Sequence, residues 1–235
     1  MPKSSVNQSA KQRFISYIEQ QIISGELKID QQLPPERELA EKTGVSRVTV
    51  HAALVELASR NVLRIVPRQG TFVSDYKKEN TLELYGAIMQ HTGAVDADLL
   101  SSLLNFREIV EVAAAELAAK ARTAQDTESL RGLLQHEREA AENNEGADEA
   151  ARLDFALHLA IARASGNIVL PMTLRSIEAM YMTLVRRFYE ALPNRNVVYA
   201  FHERLIAAIE RGDRQAAGEA MKAMLDHGRS ILAGG

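Results

Sequence analysis

Asp154 and His158 stand four residues apart in "LDFALHLAIARASGN", a stretch whose apolar residues recur at helical spacing. A helix puts such a pair on one face, where a carboxylate oxygen and an imidazole nitrogen can meet one divalent ion. Nearer the N-terminus, "VSRVTVHAAL" sets Ser46, Arg47, Thr49 and His51 along the first half of a helical segment. Ser46 suits a helix N-cap, and Arg47 just after it suits a phosphate or a base edge, because helix N-termini attract anions.

The elements that must position Arg47 are legible around it. "RFISYIEQQIISG" places Phe14, Ile15, Ile18 and Ile22 at helical spacing and stops at Gly25, and "PERELAEKTG" is a second short helix that starts after Pro35 and ends at Gly44. In the third, Val50, Leu54 and Leu57 recur as a buried stripe. "VLRIV" and "GTFVSDY" then read as two short strands joined by the turn "PRQG". A helix-turn-helix needs a small residue on its first helix, a left-handed turn residue and an apolar residue on its second; Ala40, Gly44 and Val50 supply these. Three helices and a hairpin make a winged helix-turn-helix over residues 8–76.

From residue 80 to 233 almost every segment has helical periodicity, with breaks at Gly93, Thr123, "NNEGAD", Gly166, Pro193 and Gly212. Many alanines and no strand alternation predict an all-α antiparallel bundle of about six or seven helices. The fold class is therefore mainly α.

Charge and composition bound the function. Residues 1–78 carry 12 Lys and Arg against 8 Asp and Glu, while the remainder carries 16 against 23, so a basic head sits on an acidic body and is the part suited to nucleic acid. The chain has no cysteine, which removes disulfides, thiolate metal sites and thiol nucleophiles. No run reaches the roughly 18 apolar residues that span a bilayer, and the start lacks a signal-peptide core, so a cytoplasmic protein with no membrane partner is expected.

The run from Ile22 to Val73, with "SGEL", "LPPERELA", "GVSR" and the wing "GTFV" in order, closely resembles the DNA-binding domain of the GntR family of bacterial transcription regulators. That resemblance implies that Arg37 and Arg47 contact operator DNA, Arg47 reading a guanine, and that the wing tip Arg68, Gln69 and Gly70 enters the minor groove. Arg-to-guanine contacts are worth about 1–3 kcal/mol of discrimination. Two departures stand out. Pro35 occupies the family's capping Ser, and His51-Ala52 replaces its Arg-Glu.

Residues 80–233 resemble the all-helical ligand-binding domain of the FadR-like branch, through "LLNFREIVE", "LDFALHLAIARASGN", "FHERLIAAIERGD" and "AMKAMLDH". Members of this branch hold a divalent metal through one Asp and three His. The resemblance assigns Asp154, His158 and His202 to such a zinc, nickel or manganese ion, while Met224 stands where the fourth ligand belongs. A thioether is a poor partner for these metals. The fatty-acid regulator of the branch lacks the metal and binds acyl-CoA, and here Met180, Met182 and Met224 could wall an acyl chain, with Arg107 and Tyr181 as polar contacts. The sequence leaves both effectors open, a small carboxylate on a metal or an acyl-type ligand.

The resulting expectation is a ligand-responsive transcription regulator of metabolic genes, a homodimer on a palindromic operator. Repression relieved by ligand is the commoner family outcome. One alternative is a metal-dependent enzyme built on Asp154, His158 and His202, for which no general-base motif is visible. Another is an effector-free DNA-binding protein, which predicts a filled core with no cavity, whereas a sensor needs a pocket of some hundreds of cubic ångströms.

Overall fold

The computed structural model describes residues 9–75, 86, 89, 97–192 and 195–233. The chain divides into two compact units, residues 1–92 and 93–235. The boundary expected between residues 76 and 80, and the breaks at Gly93 and Pro193, lie outside the described residues.

In the first unit α1 is Ala10–Ile23, α2 Glu36–Thr43 and α3 Arg47–Ser59, followed by β1 Leu63–Val66 and β2 Gly70–Val73. Phe14, Ile15, Ile18 and Ile22 of α1 pack with Leu39, Val50, Leu54 and Leu57, so the apolar stripes of three helices close one core. Gly44 ends α2 at φ +69 and its N–H donates to Ala40 O, the left-handed turn on which the helix-turn-helix depends. Pro35 precedes α2 and makes no capping bond. Ser46 caps α3, its Oγ accepting from Thr49 N at 3.2 Å. The strands pair antiparallel from Leu63 opposite Val73 to Val66 opposite Gly70. The segment before α2 covers the other edge of β2, with Leu33 N donating to Thr71 O and Val73 N to Gln31 O.

The second unit is an antiparallel helical bundle, with seven helices among its described residues: α4 Ala97–Ala121, α5 Ala124–Glu142, α6 Ala147–Ala164, α7 Val169–Ser176, α8 Glu178–Ala191, α9 Asn196–Arg211 and α10 Arg214–Ala233. Thr123 and Asp126 form a reciprocal capping box at the start of α5. Gly166 and Gly212 sit at positive φ after α6 and α9. Small residues of α4, among them Ala115, Ala118 and Ala119, let the helices approach around Leu157, Ile161, Leu205 and Ile209. The bundle packs α4 against α10, and α6 against α5 and α8, so that α6 and α9 carry side chains into its middle. Among the described residues no helix is long and apolar enough to cross a membrane.

Candidate functional site

The spacing of Asp154 and His158 on α6 and the inward face of α9 bring Asp154, His158 and His202 together in the bundle interior. One ligand atom from each lies within 4.8 Å of the others, and all three side chains are buried. His158 Nε2 is 3.9 Å from Asp154 Oδ1, and His202 Nε2 is 3.8 Å from Asp154 Oδ2. These separations are too long for hydrogen bonds and leave room for a shared cation.

The far side of each ring is fixed. His202 Nδ1 lies 2.7 Å from Glu137 Oε2, and His158 Nδ1 is bonded to Glu111 Oε2. A carboxylate only accepts, so Nδ1 carries a proton in both rings and each ring turns its Nε2 toward Asp154. His202 Nε2 and Glu137 Oε1 are buried without a hydrogen-bond partner among the described residues. Burial works against a charge on His202, but Glu137 and then Asp154 outweigh it and raise its pKa. The surroundings thus favour positive charge here.

Two tyrosines close over Asp154. Tyr181 O–H donates to Oδ1 at 2.6 Å and Tyr189 O–H to Oδ2 at 3.1 Å. Burial pushes both hydroxyls well above their usual pKa, so they act as neutral donors. Arg107 lies over the Tyr181 ring at 4.0 Å and donates from Nε to Glu111 Oε1 at 2.6 Å. Burial opposes both charges of that pair, yet their attraction prevails, holding the Glu111 carboxyl low and the Arg107 guanidinium high.

A cavity of about 40 Å³ opens on this cluster, lined among others by Arg107, Asp154, His158, Phe188, Met224 and His227. Arg107 and Met224 stand where an effector contact was expected. Tyr181 does not line the cavity; it is fully buried and its hydroxyl is engaged by Asp154. Met180 and Met182 do not line it either, so the methionine wall expected for an acyl chain is not assembled. His227 lines the cavity on the same helix as Met224 but is not part of the Asp154, His158 and His202 cluster. Among the described residues its buried Nε2 has no hydrogen-bond partner, and its ring lies 5.4 Å from that of Phe201 and 6.1 Å from that of Phe188.

In the first unit the outward face of α3 carries Arg47, Val48, His51, Ala52 and Val55, all exposed. Ser46 and Thr49 share a hydroxyl hydrogen bond of 2.8 Å at the helix start. His51 Nδ1 is 2.7 Å from Glu36 Oε1, across the turn on α2. Arg37 is exposed, 3.5 Å from Glu41. At the wing tip Arg68 adopts φ +65, and Gln69 O accepts from Gln32 Nε2 at 2.7 Å. Gly70, at φ +125, has no room for a Cβ, which would fall 2.7 Å from Gln32 Nε2.

Residues 10–73 match the pattern of bacterial regulatory proteins of the gntR family, and residues 102–227 match the FCD domain. The chain belongs to the GntR family of regulators and carries an FCD domain. One relative of this GntR regulator, from Escherichia coli (strain K12), is described as a candidate L-lactate dehydrogenase operon regulatory protein. It is 32% identical over 207 residues, covering 85% of this chain and 77% of that one. The transcriptional regulator LutR of Bacillus subtilis (strain 168) is 27% identical over 218 residues, covering 91% and 96%. The Glc operon transcriptional activator of E. coli (strain K12) is 31% identical over 221 residues, covering 91% and 84%. A solved structure of the Listeria monocytogenes protein Lar shares the fold at a TM-score of 0.68 and 17% identity, covering 96% and 97%.

The family and its relatives are transcription regulators of metabolic operons, not enzymes, and the metal-enzyme alternative falls with that. Four residues of this GntR regulator escaped the sequence reading. Glu111, Glu137 and Tyr189 reach the site from three different helices with no local motif to announce them, and Val48 is an exposed apolar residue that no spacing singled out. The one available signal was the four-residue spacing of Arg107 and Glu111, an i, i+4 ion pair.

Proposed function

We propose that this regulator holds one divalent ion at Asp154, His158 and His202 and responds to a small carboxylate that enters beside it. The observation carrying the reading is His202, whose Nδ1 is bonded to Glu137 while its buried Nε2 faces Asp154 with no partner. A carboxylate, a histidine and a metal in line is the usual way to orient such a ligand. Charge supports it as well. Three carboxyl groups, Glu111, Glu137 and Asp154, are buried here with one guanidinium, Arg107, and unbalanced buried charge is strongly unfavourable. Zinc, nickel or manganese suits two imidazoles and a carboxylate. A bound ion would supply the balancing charge and open positions for an anionic ligand.

Size selects the effector class. The cavity beside the cluster is small, about 40 Å³, which favours a short acid over a long acyl chain. Arg107 and the free Nε2 of His227 offer it donors. The printed name of the E. coli relative, which mentions L-lactate dehydrogenase, makes lactate the first acid to try. Operator binding follows from the first unit, through Arg37, Ser46, Arg47, Thr49, His51 and the wing tip Arg68 to Gly70. A two-fold homodimer would present two copies of α3 to one palindromic operator. Effector binding shifts operator affinity by its differential affinity for the two states.

The test is metal analysis of the purified full chain, followed by thermal unfolding with lactate, other short hydroxy acids and acyl-CoA. About one ion per chain, lost in His202→Ala, and a melting temperature that rises with a short acid support the reading. A metal-free protein stabilised by acyl-CoA would overturn it.

A further inference from the structure

Val48 is 81% exposed on α3, although Val50, Ala53, Leu54 and Leu57 of the same helix are buried in the core. With its inward face fixed by those four, the helix has an outward face of Arg47, Val48, His51, Ala52 and Val55. Three of these five are apolar. Val48, Ala52 and Val55 follow one another at i, i+4 and i+7, a single stripe about 10 Å long, or about three base steps of duplex DNA.

We propose that this stripe reads thymine, Val48 packing on the 5-methyl group that thymine presents in the major groove. The inference rests on DNA binding by the first unit. In the major groove only thymine shows an apolar group among its hydrogen-bonding edges, and small apolar side chains are its natural contact. The neighbours of the stripe are those of a nucleic-acid surface rather than a protein one. Arg47 stands beside Val48, and Ser46 caps a helix N-terminus whose N–H groups favour phosphate. Thr49 is half-buried and bonded to Ser46, so Val48 is the exposed apolar side chain at this end of the helix.

The experiment begins with full-length protein selecting duplexes from a random pool. Each thymine of the selected half-site is then replaced by deoxyuridine, which removes the methyl and keeps the base pair. Affinity is compared at fixed salt for the native protein and Val48→Ser, a surface change that leaves the core intact. The native protein should lose about fourfold at one or more thymines, the equivalent of one buried methyl. Val48→Ser should bind the thymine and deoxyuridine duplexes equally at that position. In the native protein, 5-methylcytosine there should bind better than cytosine. Native affinity unchanged by every deoxyuridine, or an equal loss in Val48→Ser, would overturn the methyl contact while leaving DNA binding standing. Selection of no duplex at all would overturn sequence reading by α3, and this inference with it. Loss of self-association in Val48→Ser with methyl sensitivity intact would mark the stripe as a surface for a second copy instead.

Discussion

Glu137 Oε2 lies 2.7 Å from His202 Nδ1, and the opposite nitrogen of that ring faces Asp154 Oδ2 at 3.8 Å. The carboxylate thus sets both the tautomer and the aim of the ligand nitrogen. Glu137→Gln keeps the shape and a hydrogen-bonding group but removes the charge, so metal affinity should fall about 10- to 100-fold, the usual cost of removing such an outer partner. His202→Ala should lose the ion outright. Competition with a chelator of known affinity measures both, and equal affinity in Glu137→Gln and the native protein would show that the ring is oriented by packing alone.

Arg107 and Glu111 form a fully buried ion pair beneath the cavity. Arg107→Met strands the Glu111 carboxylate with only His158 to meet it, which should destabilise the fold by about 3–5 kcal/mol at neutral pH. The pH dependence has a definite sign. In the native protein the folded pKa of Glu111 is held below its unfolded value near 4.5, so its contribution is present above that pH and lost as pH falls toward the folded value. In Arg107→Met burial is no longer offset by the guanidinium, and the carboxyl shifts upward. The stability gap between variant and native protein should therefore narrow from pH 7 to pH 4.5 in urea unfolding. A constant gap would place the loss in packing rather than charge.

How far the sequence reached follows from the range of the interactions involved. The head was legible residue by residue because Gly44, Ser46 and the stripe of Val50, Leu54 and Leu57 are local signals, each deciding its own turn or cap. Asp154 and His158 were legible for the same reason, as an i, i+4 pair. His202 needed a family resemblance, and Glu111, Glu137 and Tyr189 were hidden because their roles exist only once α4, α5 and α8 pack around α6 and α9. The place of His227 was hidden too: it lines the cavity together with Met224, which depends on how α10 packs and not on spacing along the helix. Ile177, where α7 gives way to α8, carries neither Gly nor Pro, so that break left no mark in composition.

Gly44 tests the head by backbone alone. It sits at φ +69 with nothing within 4 Å of where a Cβ would be, so Gly44→Ala adds no clash and only the left-handed strain of about 1–2 kcal/mol. Gly44→Asn should cost less, because Asn tolerates this conformation. Denaturant unfolding followed through the first unit should rank glycine, asparagine and alanine in that order. An alanine variant as stable as the native protein would mean that the turn relaxes out of the left-handed region.

His51 stands where the resemblance to the family implies an Arg, and its Nδ1 lies 2.7 Å from Glu36 Oε1. The imidazole is held toward α2 at the edge of the outward face of α3, and its partner adds a negative charge near the phosphates. A longer guanidinium at this position can extend past Glu36 to the backbone of the duplex. His51→Arg should therefore steepen the dependence of log affinity on log salt by about 0.9, the release of counterions from one more phosphate, and tighten binding most at low salt. Glu36→Gln removes the repulsion without adding a contact, so it should tighten binding at low salt with a smaller change in slope. Both are read by titrating one selected duplex over a series of salt concentrations. If His51→Arg changes affinity for some sequences and leaves the slope alone, the position meets a base edge rather than a phosphate, and the histidine is then a determinant of which operator is chosen.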